Sequence, residues 1–362
     1  MLRGVDKWFL GIVAALLVSG FFIFLSASLG QHAREGAQFF ALIFNQFFAL
    51  VLGLIALFIT AHINYKLLRK YSLLFFAFSL FLMLLLFIDA LSFEYGGARR
   101  WLSLGPVSFQ PSELLKIASV LYFATWLGAM HRRVRDIRYG LIPFVLLTSL
   151  IGALLLSQPD TGTFLIIATS LFVMYIANGA PWKHIALSIA GGVVGVVILS
   201  LSRFYVWERI MTFINPALDP QGAGYQIQQS LIAIGSGELT GRGFGQGIQK
   251  FQYLPEPIAD SIFAVFSEEF GFIGSVFLVA LFTAFALRGL RIARHAPNHF
   301  SRLTALGIVI LITGQAFLNI GGILNVFPLT GIPLPFVSHG GSSLVVSLAA
   351  VGILLNISKY AR

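Results

Sequence analysis

The first apolar stretch, WFLGIVAALLVSGFFIFLSASL at residues 8–29, has 22 residues and no charged side chain. A helix needs about 20 mostly apolar residues to cross the hydrocarbon core of a bilayer, so this stretch predicts a membrane-spanning helix. Nine similar stretches follow: Gln38–Ala61, Tyr71–Ile88, Leu114–Met130, Tyr139–Ser157, Gly162–Trp182, Ile185–Ser202, Ser261–Leu287, Leu303–Phe327 and Ile332–Ser358. The pattern predicts an all-α, polytopic membrane helix bundle of about ten transmembrane helices.

The composition of the whole chain excludes several other classes of protein. Of its 362 residues, 57% are hydrophobic and only 10% are charged, whereas a soluble domain carries about 25% charged residues. A soluble enzyme, a disordered chain and a fibrous protein are therefore excluded. The chain has no Cys, which rules out disulfides and a thiol nucleophile. Without an internal repeat or a soluble segment, residues 1–362 are predicted to form a single membrane domain.

The distribution of charge predicts the orientation of the chain in the membrane. Ten helices place both termini on one side, which holds sixteen Lys and Arg residues and only two acids, Asp6 and Asp136. Basic residues concentrate in cytoplasmic loops, so we expect both termini in the cytoplasm. The net charge of +10 is then a topological signal. No nucleic-acid partner is predicted, because no basic stretch is interleaved with aromatic residues on a soluble surface.

One external loop is much longer than the others. It covers Arg203–Asp260, and long loops in compact proteins are usually functional. Two half-apolar stretches within it, Trp207–Ile214 and Tyr225–Ile234, are predicted to form short interfacial helices on the membrane surface. The loop also gathers Lys250 and Asp260, together with Arg209 and Glu256, beside the outer-face carboxylates of Glu268 and Glu269. A flexible connector is the alternative interpretation.

Three other external segments are rich in polar groups and return to the same face of the membrane. They are Tyr95–Lys116, Ser157–Thr163 and Leu329–Ser343. The segments can therefore converge on one site. In the first of them, Arg100 follows Arg99, and a guanidinium fork suits phosphate oxygens.

Three more charged residues in these segments are candidates with a structural alternative. Glu113 and Lys116 are three residues apart at a predicted helix start, so they share a face and could form a structural ion pair instead of a binding site. Asp160 precedes the sixth span and could cap that helix. A capping role and a binding role for Asp160 are compatible.

Several tempting motifs do not support other chemistry. The glycine run at residues 235–247, GSGELTGRGFGQG, lacks the spacing of a phosphate-binding loop, so no nucleotide is predicted. His295 and His299 are four residues apart but have no acidic partner for a metal site. His339 is expected to be packed or hydrogen-bonded and not to act as a catalytic base.

Together, six motifs resemble the FtsW/RodA/SpoVE family, the SEDS proteins of bacterial division, elongation and sporulation. They occur in family order: GARRWLSLGPVSFQPSELLK at 97–116, SQPDTGT at 157–163, YQIQQSLIAIGSG at 225–237, QKFQYLPE at 249–256, IFAVFSEEFGF at 262–272 and LTGIPLPFVSHGGSS at 329–343. The resemblance implies a peptidoglycan glycosyltransferase that polymerises lipid II into a growing glycan strand. The reaction would occur on the outer face of the bacterial cytoplasmic membrane.

The resemblance also implies partners, and the motifs suggest a subtype. Members of the family typically work with a class B penicillin-binding protein, a transpeptidase, within the cell-wall synthesis complex. The motif QKFQYLPE resembles the division branch, whereas TGIPLPFVS resembles the elongation branch, and the balance slightly favours division.

The essential acid of the family follows the LPE motif in a pattern written HTDF, and here the matching residue is Asp260. The surrounding residues differ, since the chain reads Ile258-Ala259-Asp260-Ser261. Two further departures are His339, where the family usually has Tyr, and Glu238, where it often has Gly. These differences bear on how Asp260 is oriented, not on which residue is the acid.

The chemistry of lipid II assigns roles to these residues. A neutral sugar hydroxyl is a poor nucleophile, so Asp260 is predicted to act as general base. Negative charge on the departing diphosphate requires cations, for which Arg100, Lys116 and Lys250 are the candidates. A divalent cation, Mg²⁺ or Mn²⁺, is the expected cofactor, with no ligand assigned. Glu113, Asp160 and Ser342 complete the predicted substrate-binding residues.

Two alternative functions belong to other classes. A lipid II flippase would suit a ten-helix bundle, but a transporter should place charged groups near mid-membrane between broken helices. A non-catalytic scaffold would not need an external Asp among basic residues.

A single-span partner helix is predicted to pack on the eighth or ninth span. Small residues permit close helix approach: Gly271 and Gly274 in the eighth span, and Gly307 and Gly314 in the ninth. Internal packing of these glycines within the bundle is the alternative.

Overall fold

The computed structural model describes residues 4–35, 37–95, 98–105 and 107–361. Within these ranges the chain forms a helical bundle with one small sheet. The helices are α1 (Lys7–Glu35), α2 (Ala37–His62), α3 (Tyr65–Leu85), α4 (Pro111–Ala129), α5 (Leu141–Ser157), α6 (Thr161–Ala177), α7 (Trp182–Ser202), α8 (Phe204–Ile214), α9 (Ala223–Ser236), α10 (Ile262–Arg294), α11 (His299–Ile323) and α12 (Gly341–Ser358). The strands are β1 (Ser92–Tyr95), β2 (Ala98–Leu104) and β3 (Val107–Phe109).

The polytopic helical fold that the sequence predicts is confirmed. Each predicted span coincides with a helix, and seven helices in the described ranges are long and apolar enough to cross a membrane. Three further helices coincide with predicted spans but are shorter or less apolar. Helices α5 and α6 have 17 residues each, and α4 has 19 residues and carries Glu113 and Lys116. The chain is therefore a multi-pass membrane protein.

The last predicted span began too early. Residues 332–340 are not helical, and α12 starts at Gly341. Pro333 and Pro335 interrupt helical hydrogen bonding, and Phe336 adopts a positive φ of 66°. This segment is instead an irregular chain packed into the bundle, where Ile332 and Leu334 are buried.

A three-stranded antiparallel sheet between α3 and α4 was not predicted. Strand β2 is central, and Phe93 pairs with Trp101 while Ser103 pairs with Ser108. Side chains alternate between the two faces of a strand, so Arg99 and Arg100 point in opposite directions. Arg99 forms ion pairs with Asp89 and Glu94.

The long loop between α7 and α10 carries the two short helices that the sequence predicts, α8 and α9. Asp219 precedes α9, and its carboxylate accepts hydrogen bonds from the backbone N–H groups of Gly222 (2.9 Å) and Ala223 (2.6 Å). These N–H groups are unpaired at a helix start, so the contact fixes where α9 begins.

Helix α10 is broken at Gly271, which has φ 63° and ψ −162°. The break is filled by the loop after α9. The N–H groups of Arg242 and Gly243 donate to the carbonyls of Glu268 and Glu269, each at 3.0 Å. In return, the N–H groups of residues 272 and 273 donate to the carbonyls of residues 238 and 239, at 2.9 and 3.1 Å. The loop therefore replaces the hydrogen bonds that the helix loses.

The core is built around α11 and α12. Helix α11 packs against α4, α6 and α10, and α12 packs along α2. Most residues of α11 and α12 are buried, whereas α7 lies at the edge of the bundle with an apolar, exposed surface. Helix α11 thus forms an inner wall of the bundle, and its side chains bond to the segment before α10 and to the loop before α12.

Candidate functional site

Asp260 lies in the short segment before α10, and three parts of the chain hold this segment in place. From α11, the side-chain amide of Asn319 donates to the carbonyl of Asp260 at 2.8 Å. From α9, Gln226 donates to the hydroxyl of Ser261 at 2.9 Å. The loop before α12 contributes the N–H of His339, which donates to the carbonyl of Ile258 at 2.8 Å. The backbone orients Asp260 through bonds that do not need the His, Thr and Phe of the family pattern.

The carboxylate of Asp260 is only partly paired. Its Oδ1 atom is buried and has no hydrogen-bond partner. Burial raises the pKa of Asp260 to about 6, against an opposing hydrogen bond from Gln226. The residue as a whole remains partly exposed. Ser261, not Asp260, occupies the N-cap position of α10, and its side chain makes no capping bond. The arrangement suits a carboxylate that accepts a proton near neutral pH.

Arg209 links the segment of Asp260 electrostatically to two other charged residues. Arg209, on α8, interacts electrostatically with Arg100, Asp160 and Asp260. Burial, followed by the neighbouring charge of Arg100, lowers the pKa of Arg209. Its guanidinium donates to the hydroxyl of Thr161 at 3.0 Å, which ties α8 to the start of α6.

Arg100 and Asp160 meet at the turn before α6. The guanidinium of Arg100 donates to the carbonyls of Gln158 (3.1 Å) and Pro159 (2.6 Å). Asp160 caps α6 through Oδ1, which accepts from the N–H of Thr163 at 3.3 Å. The capping role is thus present, while Oδ2 of Asp160 is buried with no hydrogen-bond partner. That oxygen remains available to a ligand.

Lys116 and Glu113 form the buried ion pair considered in the sequence, with 2.8 Å between Nζ and Oε2. Lys116 also donates to Gln315 of α11 at 2.7 Å. Gln315 lies one helical turn before Asn319, the residue that binds the Asp260 carbonyl. Positions four residues apart lie on the same face of a helix, so Lys116 approaches the segment of Asp260 from the side of α4.

The loop before α12 joins these groups. Its residue Gly331 has φ 67°, and a methyl group added there would lie 4.0 Å from Oδ2 of Asp260. At Gly162, an added methyl group would lie 2.8 Å from Ile332, so the start of α6 touches the same loop. Gly331 therefore leaves open space directly beside the carboxylate.

Two predicted site residues have structural partners elsewhere. The hydroxyl of Ser342 accepts from the N–H of Gln110 at 3.2 Å, which joins α12 to the residue before α4. Lys250 is fully buried, and its ammonium lies 2.6 Å from Glu269 and 3.0 Å from both the carbonyl and the hydroxyl of Ser26. All its contacts are with the protein, so the structure does not bring Lys250 together with Asp260.

Two of the histidines singled out in the sequence pack against other rings. The ring of His339 stacks on Phe24 with centroids 5.6 Å apart, as expected for a packed residue. His299 stacks on His131, with centroids 3.8 Å apart. In the described part of the chain, no group of three or more His, Cys, Asp or Glu side chains is arranged to hold a metal ion. Oδ2 of Asp160 and Oδ1 of Asp260 are carboxylate oxygens that are buried without a hydrogen-bond partner.

Sequence reasoning did not assign roles to Arg209, Gln226 or Asn319. Arg209 had a detectable signal, because it is a cation within a short amphipathic stretch that was expected to lie on the membrane surface. Gln226 and Asn319 had none, since a polar residue on a helix does not show which loop it binds.

The four glycines proposed for partner binding do not share one surface. Gly271 packs against the loop at Gly241, and Gly307 packs against Met174 and Val120 inside the bundle. Gly314 lies on the largely buried α11. Only Gly274 lines an external feature, a groove of about 820 Å³ between α1 and α10. The ninth-span alternative therefore fails for Gly307, where internal packing is observed.

Comparisons with known proteins agree with this architecture. The chain matches the family described as "Cell cycle protein", FtsW/RodA/SpoVE, over residues 7–362. Stage V sporulation protein E of Bacillus subtilis (strain 168) is 38% identical over 353 residues, covering 97% of this chain and 96% of the relative. The probable peptidoglycan glycosyltransferase FtsW of Geobacter sp. (strain M18) is 35% identical, covering 99% and 98%.

A solved structure shows the same similarity in three dimensions. It is a chain of a peptidoglycan synthase complex described as coordinating polymerization and crosslinking, which superposes with a TM-score of 0.81 at 30% identity and covers 98% of this chain and 97% of that chain. The chain matches this family in both sequence and fold over nearly its whole length. It therefore belongs to the FtsW/RodA/SpoVE family.

Proposed function

We propose that this protein is a peptidoglycan glycosyltransferase that polymerises lipid II during cell division or elongation. The observation that carries the proposal is the partly paired carboxylate of Asp260, facing Arg209, with its pKa raised by burial to about 6. The names of the relatives and the peptidoglycan synthase complex among the structural neighbours support the same activity.

The proposed reaction is a single displacement. A sugar hydroxyl attacks the anomeric carbon of the donor, the bond to the lipid diphosphate breaks, and Asp260 takes the hydroxyl proton. Arg100, Arg209 and Lys116 stabilise the negative charge that develops on the diphosphate. Direct displacement inverts the anomeric carbon, because no covalent enzyme intermediate is formed. Lys250 is not assigned to this step, because its contacts with Glu269 and Ser26 do not join it to the segment of Asp260, whereas Lys116 is linked to that segment through Gln315 of α11.

We also propose that a divalent cation, Mg²⁺ or Mn²⁺, arrives with the diphosphate. The unpartnered Oδ2 of Asp160 is the protein oxygen best suited to contact it. Such a cation would neutralise charge on the leaving group. Chelation with EDTA is expected to lower polymerisation and added Mg²⁺ to restore it, while full activity in EDTA would contradict the proposal.

The transporter alternative has one observation in its favour, the break in α10, because broken helices line transporter sites. Here, however, the loop at residues 238–243 fills the break and pairs with its backbone groups. The half-helix ends are therefore occupied by the protein, which favours the enzyme over the flippase.

The decisive experiment measures glycan chains formed from lipid II by the purified protein, alone and with a class B penicillin-binding protein. Asp260→Asn is expected to reduce polymer by about a hundredfold or more, because Asn cannot accept the proton. Its melting temperature should stay equal or rise, since a buried ionised carboxylate is removed. Glu208→Gln, which neutralises an exposed carboxylate on α8, is the matched control and should remain active.

Two outcomes would contradict the assignment. Near-normal polymer from Asp260→Asn would exclude the general-base role and shift attention to Glu256, Asp160 or Glu268. A well-folded wild-type protein that forms no polymer, even with its partner, would favour the flippase or the scaffold instead.

The orientation proposed for the chain places both termini in the cytoplasm and the site on the outer face of the cytoplasmic membrane. Single-Cys labelling can test it without interference, because the chain has no native Cys. Arg242→Cys should react with an impermeant reagent from outside, and Arg135→Cys only after the membrane is opened. The reverse pattern would overturn the location of the site.

The partner helix of a class B penicillin-binding protein is proposed to bind the groove between α1 and α10. This groove is lined almost entirely by apolar residues, and Phe272, Ile273 and Phe277 beside it are exposed. Gly274 permits close approach at its centre. Cysteine crosslinks from position 273 to the partner helix are expected, with position 193 on α7 as the control. Crosslinks only to α7 would contradict the placement.

A further inference from the structure

A basic pocket lies at the end of the bundle that carries the termini, far along α3 and α4 from the Asp260 site. Helix α3 contributes Lys66, Arg69 and Lys70, and the pocket has a volume of about 440 Å³. Thr125 of α4, together with Asn298 and Phe300 from the start of α11, forms the opposite wall. The volume falls within the range of small-ligand sites.

The charges of this pocket are not neutralised within the described part of the protein. No ion pair among the described residues involves Lys66, Arg69 or Lys70, and no carboxylate lines the pocket. All three basic side chains are exposed, and the ammonium of Lys70 lies 5.3 Å from the ring centroid of Tyr71. The pocket therefore presents three positive charges to an anion.

The start of α11 adds to this positive potential. Asn298 caps the helix by accepting a hydrogen bond from the N–H of Ser301 at 2.9 Å, so this 25-residue helix begins at the pocket. A helix N-terminus carries a partial positive charge. Cations on one wall and a helix N-terminus on the other thus face the same space.

The surface that continues from the pocket along α3 is apolar. Residues at intervals of three or four lie on one helix face, so Lys66 and Lys70 are followed in line by Leu74, Phe78 and Phe81. These three apolar side chains are 67%, 50% and 54% exposed. A rise of 1.5 Å per residue places Phe81 about 16 Å beyond Lys70, within reach of an acyl chain.

We propose that this pocket binds the phosphate headgroup of an anionic glycerophospholipid, whose acyl chains lie along the exposed apolar face of α3. A soluble phosphate would use the cations but would gain nothing from the apolar face. Basic pockets between membrane helices are known binding sites for anionic lipid headgroups. The ligand is thus a structural or regulatory lipid, separate from the substrate of the Asp260 site.

The test compares two triple variants that remove the same charge. Lys66→Gln/Arg69→Gln/Lys70→Gln empties the pocket of cations. Arg135→Gln/Arg138→Gln/Lys183→Gln removes three exposed cations elsewhere at the same end of the bundle and is the control. Each protein, purified in neutral detergent, is titrated with phosphatidylglycerol, with phosphatidylcholine of the same acyl chains, or with inorganic phosphate. Binding is followed by native mass spectrometry and by the melting temperature.

The wild-type and control proteins are expected to bind phosphatidylglycerol saturably and to melt at a higher temperature with it. The pocket variant should bind it at least about tenfold more weakly, since each cation near the membrane surface contributes to the attraction. Equal binding by the two variants would overturn the proposal. Equal stabilisation by inorganic phosphate, or by phosphatidylcholine, would overturn it as well, because the ligand would then be a soluble anion or any lipid. If the triple variant does not fold, Arg69→Gln alone should still weaken binding several-fold relative to Arg135→Gln.

Discussion

Lys250 and Asp260 lie ten residues apart in the segment before α10, and the structure pairs the charge of the first while it leaves the second partly unpaired. The ammonium of Lys250 has three partners within 3.0 Å, and Glu269 also accepts from Ser26 and the N–H of Gly245. At the other site, Oδ1 of Asp260 and Oδ2 of Asp160 are buried without partners. Native proteins pair most buried polar atoms, so these unpaired carboxylate oxygens are candidate contacts for a ligand.

The largest expected effect concerns the buried ion pair between Lys250 and Glu269. Lys250→Ala leaves the carboxylate of Glu269 buried without its cation, which should cost roughly 3–5 kcal/mol of folding free energy. We expect a strong fall in melting temperature and in the yield of folded protein. The double variant Lys250→Met/Glu269→Gln should recover most of this stability, because no buried charge is left alone. A stable Lys250→Ala protein with lost polymerisation would place Lys250 in the active site after all.

The next effect concerns the Asp260 site and the arginines assigned to it. Arg100→Ala and Arg209→Ala should each reduce polymerisation about ten- to a hundredfold, since a charge-assisted hydrogen bond contributes roughly 1.5–3 kcal/mol. The melting temperature should fall modestly, because each arginine also makes hydrogen bonds within the protein, so activity is compared per folded molecule. Arg99→Ala is the control, because Arg99 is exposed and paired with Asp89 and Glu94 on the other face of the sheet. Equal losses in Arg99→Ala and Arg100→Ala would mean that the sheet, not the site, is disturbed.

The smallest effect concerns pH. The pKa of Asp260 is raised to about 6, so its carboxylate is ionised at pH 7.5 and becomes protonated as the pH falls through 6. Polymerisation should therefore decrease about tenfold between pH 7.5 and pH 5, in proportion to the ionised fraction. The rate at saturating lipid II is measured across this range. Activity that is constant down to pH 4.5 would show that no group with this pKa acts as the base.

The sequence predicts much of the fold for a clear physical reason. Each span must satisfy its own backbone hydrogen bonds in lipid, so long apolar stretches become helices almost regardless of their neighbours. Local geometry also suffices for the Glu113–Lys116 pair and the Asp160 cap, because both depend on residues three positions apart. These predictions needed no knowledge of the tertiary fold.

The parts that were missed depend on contacts between distant segments. Helix α10 can break at Gly271 because residues 238–243 replace the backbone hydrogen bonds that the helix loses there. The apolar sequence of α10 does not show which distant segment will supply these bonds. Lys250 and Asp260 look alike in sequence, as charged residues of one loop, and only the positions of Ser26 and Glu269 separate them. The strands β1, β2 and β3 have only four, seven and three residues, which is too short for their alternating pattern to predict a sheet.

The break in α10 also settles a problem of length. As one straight helix, its 33 residues would extend about 50 Å, whereas the hydrocarbon core of a bilayer is about 30 Å thick. Gly271 divides the helix, so the nine residues before it, about 13 Å long, can follow a different direction from the rest. The 23 residues after Gly271, about 35 Å long, are then close to the thickness of the core, and the part of α10 next to Asp260 need not lie in line with them.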